Sequence, residues 1–485
     1  MSIVLEIFTM APVGGKYPDG LARSVHFALR EDGRRTELNH GYGILFAKGE
    51  ISSRGTIVPK AVKNPQILRT KGGGFLIRAI RTEEDGAEEK TEKILYWMSE
   101  DLVHFRELAA LPEKEKCRDT SFPDSGEAGQ WSDQVLITEE EAGKVLAFWN
   151  PAPGKALVSF PKARGFADPV FFRHEGKWYF LFTNDNENDI GLYIREGGSI
   201  EELLSDDTPV HLILKPDQAR GFIQNFWAPE IHEIGGNLYI LFAISKEGFG
   251  PCCHMMRLKK GGDLTDPLDY ETPVPVLRPD GSRLTRPEYS LTEEEKAENR
   301  PLIPECTDSR FGISLDMTYF EDGGESYLVW SYRKDIGTPD DSGSMLMIAK
   351  TSKETPWILR TEPVLLSRPL YGYENAAGTI NNEGPYVYKR NGRIHINYSG
   401  GDARGYLYII NLLSADEGSD LMNPASWEKR ITPLCSFKTW PGVYGPGHNS
   451  FFRDEDGKEW IAFHAADAID SRNIGVGIYE YPENL

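Results

Sequence analysis

A unit of sequence recurs five times from residue 167 onward. Each copy has a polar or acidic residue, a short apolar run, a turn that contains glycine, and an aromatic run. The copies are anchored at the following residues: Asp168, Trp227, Asp316, Glu383 and His448. Their spacings of 59, 89, 67 and 65 residues leave room for several short strands each and are typical of a β-propeller rather than of a helical repeat array. We therefore predict an all-β fold that contains a five-bladed β-propeller.

Glycine-containing turns mark a hairpin inside each repeat. Gly235-Gly236, Gly323-Gly324 and Asn391-Gly392 each separate an apolar run from an aromatic one. Gly and Asn tolerate the positive φ that a tight two-residue β-turn requires. Because the innermost strands of a propeller surround one axis, residues at the beginnings of these strands are expected to share one pocket.

The region before the repeats, residues 1–160, is predicted to be an all-β accessory region. Runs such as Phe75-Leu76-Ile77 and Ile94-Leu95-Tyr96-Trp97 have the composition of strands. Degenerate blade-like units are one interpretation of this region. Pro151 to Lys162 is predicted to be a linker, and residues 163–485 to form the propeller.

Two stretches bear on where the propeller begins and how it is interrupted. Asn64-Pro65 resembles the start of a repeat but carries Asn where Asp168-Pro169 carries Asp. We place the first blade at Asp168, because five units already follow from there. Pro273 to Pro301 is rich in proline and charge, so we predict a long surface insertion that lengthens the spacing to 89 residues.

Composition excludes several classes of protein. The formal net charge is −20 and no basic stripe is present, which argues against nucleic acid as a partner. The five cysteines are scattered and indicate neither a disulfide framework nor a zinc site. No apolar stretch is long enough to cross a membrane. Met1 to Glu6 lacks a basic segment before its apolar residues, so we expect a cytoplasmic protein.

Three carboxylates stand at strand beginnings: Asp168, Asp316 and Glu383. Hydrolysis of a glycosidic bond with inversion needs one carboxylate to activate water and one carboxylic acid to protonate the leaving oxygen, about 6.5–9.5 Å apart. A third carboxylate near the acid raises the pKa of that acid by like-charge repulsion. The sequence therefore supplies a candidate base, acid and pKa modulator.

From about residue 163 onward the chain resembles family 43 glycoside hydrolases, a group of five-bladed propeller arabinofuranosidases, xylosidases and arabinanases. The matching stretches are Ala167-Asp168-Pro169, Trp227-Ala228-Pro229-Glu230, Ser314-Leu315-Asp316, Asn382-Glu383-Gly384-Pro385 and Gly445-Pro446-Gly447-His448-Asn449-Ser450. The resemblance implies that Asp168 is the general base, Asp316 the pKa modulator and Glu383 the general acid. Met317 departs from the pattern, because Gly is common after this Asp in the family.

The resemblance also implies an inverting, exo-acting glycoside hydrolase. We expect it to remove a terminal pentose, α-L-arabinofuranose in the first instance, from plant-type oligosaccharides. Two alternatives remain open, a β-D-xylosidase on the same fold and a non-catalytic carbohydrate-binding propeller. The sequence does not determine the oligomeric state.

Trp227 and His448 are the candidate substrate-binding residues. Trp227 can stack on a sugar face or pack between blades, and both interpretations remain open. The resemblance places His448 beneath the pocket, in some family members near a bound calcium ion. We expect no required cofactor and no metal among the catalytic groups. A structural calcium ion near His448 stays open; it would be held mostly through waters, because calcium prefers oxygen ligands to imidazole.

Overall fold

The computed structural model describes residues 2–112, 131–184, 189–245, 249–284, 312–471 and 474–482. In the described part of residues 2–150, two four-stranded antiparallel sheets and one short hairpin form. In chain order the elements are β1 (Ile3–Phe8), α1 (Asp19–Ala22), β2 (His26–Glu31), β3 (Arg34–Glu37), β4 (Glu50–Ile51), β5 (Ile57–Val58), β6 (Lys60–Arg69), β7 (Phe75–Glu83), β8 (Lys93–Ser99), β9 (Arg106–Pro112), β10 (Gln134–Ile137) and α2 (Glu139–Trp149).

One apolar core joins both of these N-terminal sheets. The strand orders are β10-β1-β2-β3 and β6-β7-β8-β9, and the core includes Leu5, Phe27, Ile77 and Trp97 from the sheets. Helix α2 adds Val145 to the same core. Strands of both sheets contribute buried apolar side chains to this core, so neither sheet leaves its apolar face in water. The region therefore folds around its own core.

The remaining strands form five consecutive antiparallel sheets. In chain order the elements are β11 (Phe166–His174), β12 (Lys177–Asn184), β13 (Leu192–Gly197), α3 (Ile200–Leu203), β14 (His211–Leu214), β15 (Gln224–Ile234), β16 (Asn237–Ser245), β17 (Cys252–Arg257), β18 (Val274–Pro275), β19 (Ile313–Asp322), β20 (Glu325–Arg333), β21 (Met345–Thr351), β22 (Val364–Ser367), α4 (Gly372–Asn375), β23 (Asn382–Arg390), β24 (Arg393–Gly400), β25 (Ile409–Asp416), β26 (Glu428–Lys429), β27 (Tyr444–Arg453), β28 (Glu459–Ala466) and β29 (Gly475–Glu480). The sheets are β11–β14, β15–β18, β19–β22, β23–β26 and β27–β29.

The first strands of these five sheets form a closed ring. Strand β11 contacts β15, β15 contacts β19, β19 contacts β23, β23 contacts β27, and β27 contacts β11. Apolar side chains fill the space between neighbouring sheets; the fully buried Met317, for example, lies in a cluster with Leu241 and Leu328. The predicted all-β fold with a propeller is confirmed. Strand β6, which contains Asn64, pairs with β7 in the N-terminal region.

The predicted hairpins have the expected geometry. Gly235-Gly236, Gly323-Gly324 and Asn391-Gly392 are two-residue turns in which both residues have φ between 54° and 83°. Positive φ at both positions gives the turn the right-handed twist that its flanking strands need. The second strand of each sheet follows directly and is almost completely buried.

The predicted linker, Pro151 to Lys162, lies along the last sheet and forms isolated backbone bridges with β29. The N–H of Leu157 donates to the carbonyl oxygen of Ile478 at 2.9 Å, and the N–H of Val476 donates to that of Lys162 at 2.7 Å. This segment therefore covers the outer edge of β29, whose backbone groups would otherwise be unpaired. Just before β11 begins, the chain therefore runs along the outer edge of the last sheet.

The N-terminal region lies against the face at which the innermost strands begin. The N–H of Gly49 donates to the carbonyl oxygen of Leu370 at 2.6 Å, in the connection that leads into β23. Gly20 and Gly372 approach so closely that a Cβ on Gly372 would lie 2.6 Å from the Gly20 oxygen. Contacts on this face place the N-terminal region beside the connections that surround the mouth of the propeller.

A buried ion pair anchors the start of β23. Glu374, in α4, is completely buried and accepts hydrogen bonds from Lys429 Nζ at 2.6 Å, Tyr398 Oη at 2.7 Å and Asn382 Nδ2 at 2.9 Å. Asn382 immediately precedes Glu383. The Glu374 carboxylate therefore links α4, β24 and β26 to the backbone that carries Glu383.

Replacement of Glu374 by Ala is expected to lower the free energy of unfolding by about 3–5 kcal/mol, because the buried Lys429 loses its counter-charge. The measurement is denaturant-induced unfolding of each variant. The control is Glu428→Ala, which removes the 77% exposed partner of Arg393 and should cost less than about 1 kcal/mol. Equal losses in the two variants would contradict the anchoring role.

Candidate active site

All five innermost strands contain the same β-bulge near their beginnings. The bulged residues are Asp168, Ala228, Asp316, Gly384 and His448, with φ of 52°, 50°, 54°, 56° and 47°. In each strand the pairing with its neighbour slips just after this point. A left-handed backbone at a residue other than Gly costs about 1–3 kcal/mol and is concentrated at functional sites. The bulges turn one residue of each strand toward the axis.

The positions of the bulges show that the sequence alignment of the repeats was one residue out in two of the five strands. Asp168, Asp316 and His448 occupy equivalent positions, as the sequence predicted, but Glu383 and Trp227 lie one residue before the bulge. The equivalent positions in their strands belong to Gly384 and Ala228. Proline directly follows the bulge in three strands, at Pro169, Pro229 and Pro385. Alignment of the repeats on these prolines would have given the correct register.

Asp168 is a buried carboxylate with several hydrogen-bond donors. Its Oδ2 accepts from the Ala228 N–H and from Thr183 Oγ1, each at 3.1 Å. Its Oδ1 lies 3.3 Å from His448 Nδ1 and 3.5 Å from His464 Nδ1. Burial raises the pKa of Asp168, but the imidazoles of His448 and His464 and the Ala228 N–H outweigh it and hold the pKa of Asp168 below its ordinary value. Asp168 is therefore ionised at neutral pH.

The pKa values of Glu383 and Asp316 are shifted in the opposite direction, upward. Burial is the largest cause that raises the pKa of Glu383, to about 7, and the charge of Asp168 adds to it. Burial, followed by the charges of Glu383 and Asp168, raises the pKa of Asp316 well above its ordinary value. Asp316 Oδ2 accepts a hydrogen bond from the Gly384 N–H at 3.0 Å. Asp316 thus holds the backbone next to Glu383.

Two residues that the sequence did not single out contact these carboxyl groups. Tyr408 donates its hydroxyl hydrogen to Glu383 Oε1 at 3.1 Å. His464 accepts the backbone N–H of Asp168 on Nδ1 at 3.3 Å. His464 lies in β28 opposite Gly447, at the position that Thr183 and Ser399 occupy in their sheets. A polar residue late in four of the five aromatic runs was the sequence signal for this inner layer; in the second sheet Ala243 stands at this position.

The two predicted substrate-binding residues lie close to Asp168. Trp227 precedes Ala228, is half-buried and packs beside Phe249, with ring centroids 5.9 Å apart. It therefore contributes to packing between sheets and also keeps an accessible edge. His448 is placed beside the carboxylate of Asp168, and its backbone N–H donates to Ser399 Oγ at 2.7 Å.

The side chains around His448 do not suit a calcium ion. Calcium takes six to eight oxygen ligands, whereas His448 has the imidazole of His464 and the already hydrogen-bonded Asp168 beside it. In the parts of the chain that the structure describes, no cluster of three or more His, Cys, Asp or Glu side chains could hold a metal ion.

A further ion pair joins two of the connections between strands. Arg404 Nη2 lies 3.5 Å from Asp189 Oδ2 and joins a connection of the first sheet to one of the fourth. Asp189 Oδ1 is buried without a hydrogen-bond partner among the described residues.

Most of the predicted Pro273–Pro301 insertion, residues 285–301, lies outside the described residues, as do Cys117 and Cys306. The three described cysteines, Cys252, Cys253 and Cys435, are buried and form no disulfide bond among the described residues.

Asp168, whose pKa is lowered, and Glu383, whose pKa is raised to about 7, lie at the mouth of the same ring of strands. An ionised carboxylate can remove a proton from water, and a protonated carboxyl with a pKa near 7 can donate one at neutral pH. Both groups are held by neighbouring backbone and side-chain contacts rather than by solvent. The arrangement is suited to acid–base hydrolysis.

Comparison with known proteins agrees with this arrangement. The model of the family "Glycosyl hydrolases family 43" matches residues 305–478. An extracellular exo-α-(1→5)-L-arabinofuranosidase of Streptomyces chartreusis is 31% identical over 318 residues, which cover 65% of this chain and 84% of that protein. An enzyme of the same name from Streptomyces avermitilis is 29% identical over 64% of this chain, and the match spans 56% of its length.

A solved structure shows the same fold. The α-L-arabinofuranosidase of Lactobacillus brevis superimposes with a TM-score of 0.52 and 27% identity, over 65% of this chain and 90% of that chain. The fold, the carboxyl cluster and these matches define a β-propeller glycoside hydrolase. The chain belongs to glycosyl hydrolases family 43. The resemblance predicted from the sequence motifs is confirmed.

One prediction from the sequence is wrong. We expected a cytoplasmic protein, but the two Streptomyces relatives are both named extracellular enzymes. The expectation depended on the composition of the first six residues, which carry little information about location. Within the described residues, no helix has the length and apolar character needed to span a bilayer.

Proposed function

We propose that this glycoside hydrolase is an inverting, exo-acting α-L-arabinofuranosidase on oligosaccharides. The substrate is supported by relatives of two Streptomyces species and by the Lactobacillus structure, which are named for this activity. The observation that carries the mechanism is the contrast between Asp168, whose pKa is lowered, and Glu383, whose pKa is raised to about 7.

The contrast assigns the roles in the proposed reaction. Asp168, already ionised, takes a proton from water as the water oxygen bonds to the anomeric carbon. Glu383, protonated near neutral pH, donates its proton to the leaving oxygen as the glycosidic bond breaks. Asp316 accepts the Gly384 N–H and so positions the backbone next to Glu383.

Substitution of either group is expected to reduce kcat by about 10²–10⁴-fold. Asp168→Asn should inactivate the enzyme on α-1,5-linked arabino-oligosaccharides and on p-nitrophenyl α-L-arabinofuranoside alike. Glu383→Gln should lose activity on oligosaccharides but keep much of it on the aryl substrate, since p-nitrophenolate leaves without protonation. The exposed Glu455→Gln serves as the control.

The same assay on p-nitrophenyl β-D-xylopyranoside tests the alternative sugar. Faster turnover of the xyloside would replace the arabinofuranosidase assignment by the xylosidase one. Absence of turnover on both sugars would contradict the proposed substrate class.

The pH dependence of kcat/KM on oligosaccharides should follow the two carboxyl groups. Activity requires protonated Glu383 and is expected to fall as pH rises through about 7. Activity also requires ionised Asp168. Because the pKa of Asp168 is lowered, this carboxylate stays ionised, and able to act as the base, well into the acid range. An enzyme that gained activity above neutral pH would contradict Glu383 as the acid.

The stereochemistry of the product provides an independent test. Single-displacement hydrolysis of an α-L-arabinofuranoside should release the β-anomer first, before mutarotation. Proton NMR during the first turnovers distinguishes the anomers. Initial release of the α-anomer would require a covalent intermediate and would contradict Asp168 as a base.

A further inference from the structure

Tyr408 lies directly beside the proposed acid. It is in the connection between β24 and β25, is 1% exposed, and donates its hydroxyl hydrogen to Glu383 Oε1 at 3.1 Å. Burial, and next the charge of Glu383, raise the pKa of Tyr408 well above its ordinary value. The phenol therefore stays protonated and remains a hydrogen-bond donor whenever the enzyme works.

The ring of Tyr408 is held from two sides. On one side Gly447 leaves just enough room, since a Cβ there would lie 2.0 Å from Tyr408 Cδ1. On the other side the ring stacks on His464 with centroids 5.7 Å apart and an angle of 17°. His464 is itself fixed, because Nδ1 accepts the Asp168 N–H and Nε2 lies 3.3 Å from the Ala403 oxygen. The hydroxyl cannot move away from Glu383 without repacking both strands.

A protonated carboxyl group has two different oxygens, one that carries the hydrogen and one that only accepts. A phenol that donates to Oε1 makes Oε1 the acceptor, so the proton of Glu383 is placed on Oε2. When Glu383 has given up that proton, the same hydrogen bond is made to a carboxylate and becomes stronger.

We propose that Tyr408 is a positioning residue that directs the proton of Glu383 to Oε2 and stabilises the carboxylate formed by proton transfer. This inference rests on the proposed role of Glu383 as the acid. In the step concerned, the Oε2 proton goes to the leaving oxygen while the glycosidic C–O bond breaks. The proton of the attacking water goes to Asp168, so charge and atoms balance.

Several other groups face Glu383 and remain unchanged when Tyr408 is altered. Arg333, whose charge lowers the pKa of Glu383, is held by a two-point ion pair with Asp341. The others are contributed by the strands around the ring: Asp168 on β11, Asp316 on β19, His448 on β27 and His464 on β28. A change of the Glu383 pKa in a Tyr408 variant therefore reports the lost hydroxyl.

The test is Tyr408→Phe, which keeps the ring and removes the hydroxyl. Loss of a hydrogen bond that favours the carboxylate should raise the pKa of Glu383, so the alkaline limb of kcat/KM should move to higher pH. On oligosaccharides kcat should fall about 10- to 100-fold, with little change in KM and a smaller fall on the p-nitrophenyl substrate. Tyr406→Phe is the matched control, because Tyr406 lies in the same connection and packs on Phe437 instead.

A second measurement does not depend on turnover. Infrared difference titration against Glu383→Gln reads the carboxyl proton directly, in the wild type and in both Tyr→Phe variants, after thermal melting has shown that each is folded. An unshifted Glu383 titration in Tyr408→Phe, or a loss of activity that is equal on both substrates with an unchanged pH limb, would overturn the proposal. If the wild type proves inactive on arabinofuranosides, the substrate assignment fails, but the titration still decides the role of Tyr408.

Discussion

Ser450, in β27, donates its hydroxyl hydrogen to the carbonyl oxygen of Pro169, in β11, at 2.6 Å, and so ties the last sheet to the first. The same junction brings His448 and His464 against Asp168. Residues 155–162 pair with β29 and reinforce it from the outer edge. The environment of Asp168 therefore exists only when the ring of strands is closed, and residues 280 positions or more apart in sequence have met.

Closure also explains how two carboxyl groups in one pocket acquire opposite protonation. Both Asp168 and Glu383 are removed from water, which by itself disfavours their charged forms. Asp168 receives a backbone N–H and a hydroxyl and has two imidazoles beside it, so it ionises nonetheless. Glu383 is buried and lies near the negative charge of Asp168, so its pKa is raised to about 7, although the hydrogen bond from Tyr408 acts in the opposite direction.

The fourth sheet connects this pocket to the N-terminal region. Helix α4 carries both Glu374, which holds Asn382 and so the start of β23, and Gly372, which packs against Gly20. The hairpin β4–β5 is tied to the same face, since the Gly55 carbonyl oxygen accepts a hydrogen bond from Arg368 at 2.6 Å. The region before the propeller is thus part of the surroundings of the mouth, and a shared apolar cluster that includes Phe46, Tyr373 and Ile409 joins it to the fourth sheet.

Much of the fold could be predicted from the sequence, because β-hairpins are local. The turns at Gly235-Gly236 and Asn391-Gly392, and the aromatic run after each, depend on residues a few positions apart. Asp168, Asp316, Glu383 and His448 could be predicted to meet, because each begins an innermost strand. The alignment of Glu383 was one residue out, since a left-handed bulge changes which side chain faces the axis without altering the hydrophobic pattern.

What the sequence by itself determined was the repeating unit, and with it the fold class and the carboxyl groups at its axis. Only the tertiary structure decided which groups surround each carboxyl. Tyr408 and His464 come from connections and second strands whose composition is ordinary, and the covering of β29 by residues 155–162 requires a complete ring. The physical reason is that protonation depends on burial and on donors within a few ångströms, and these neighbours come from distant parts of the chain.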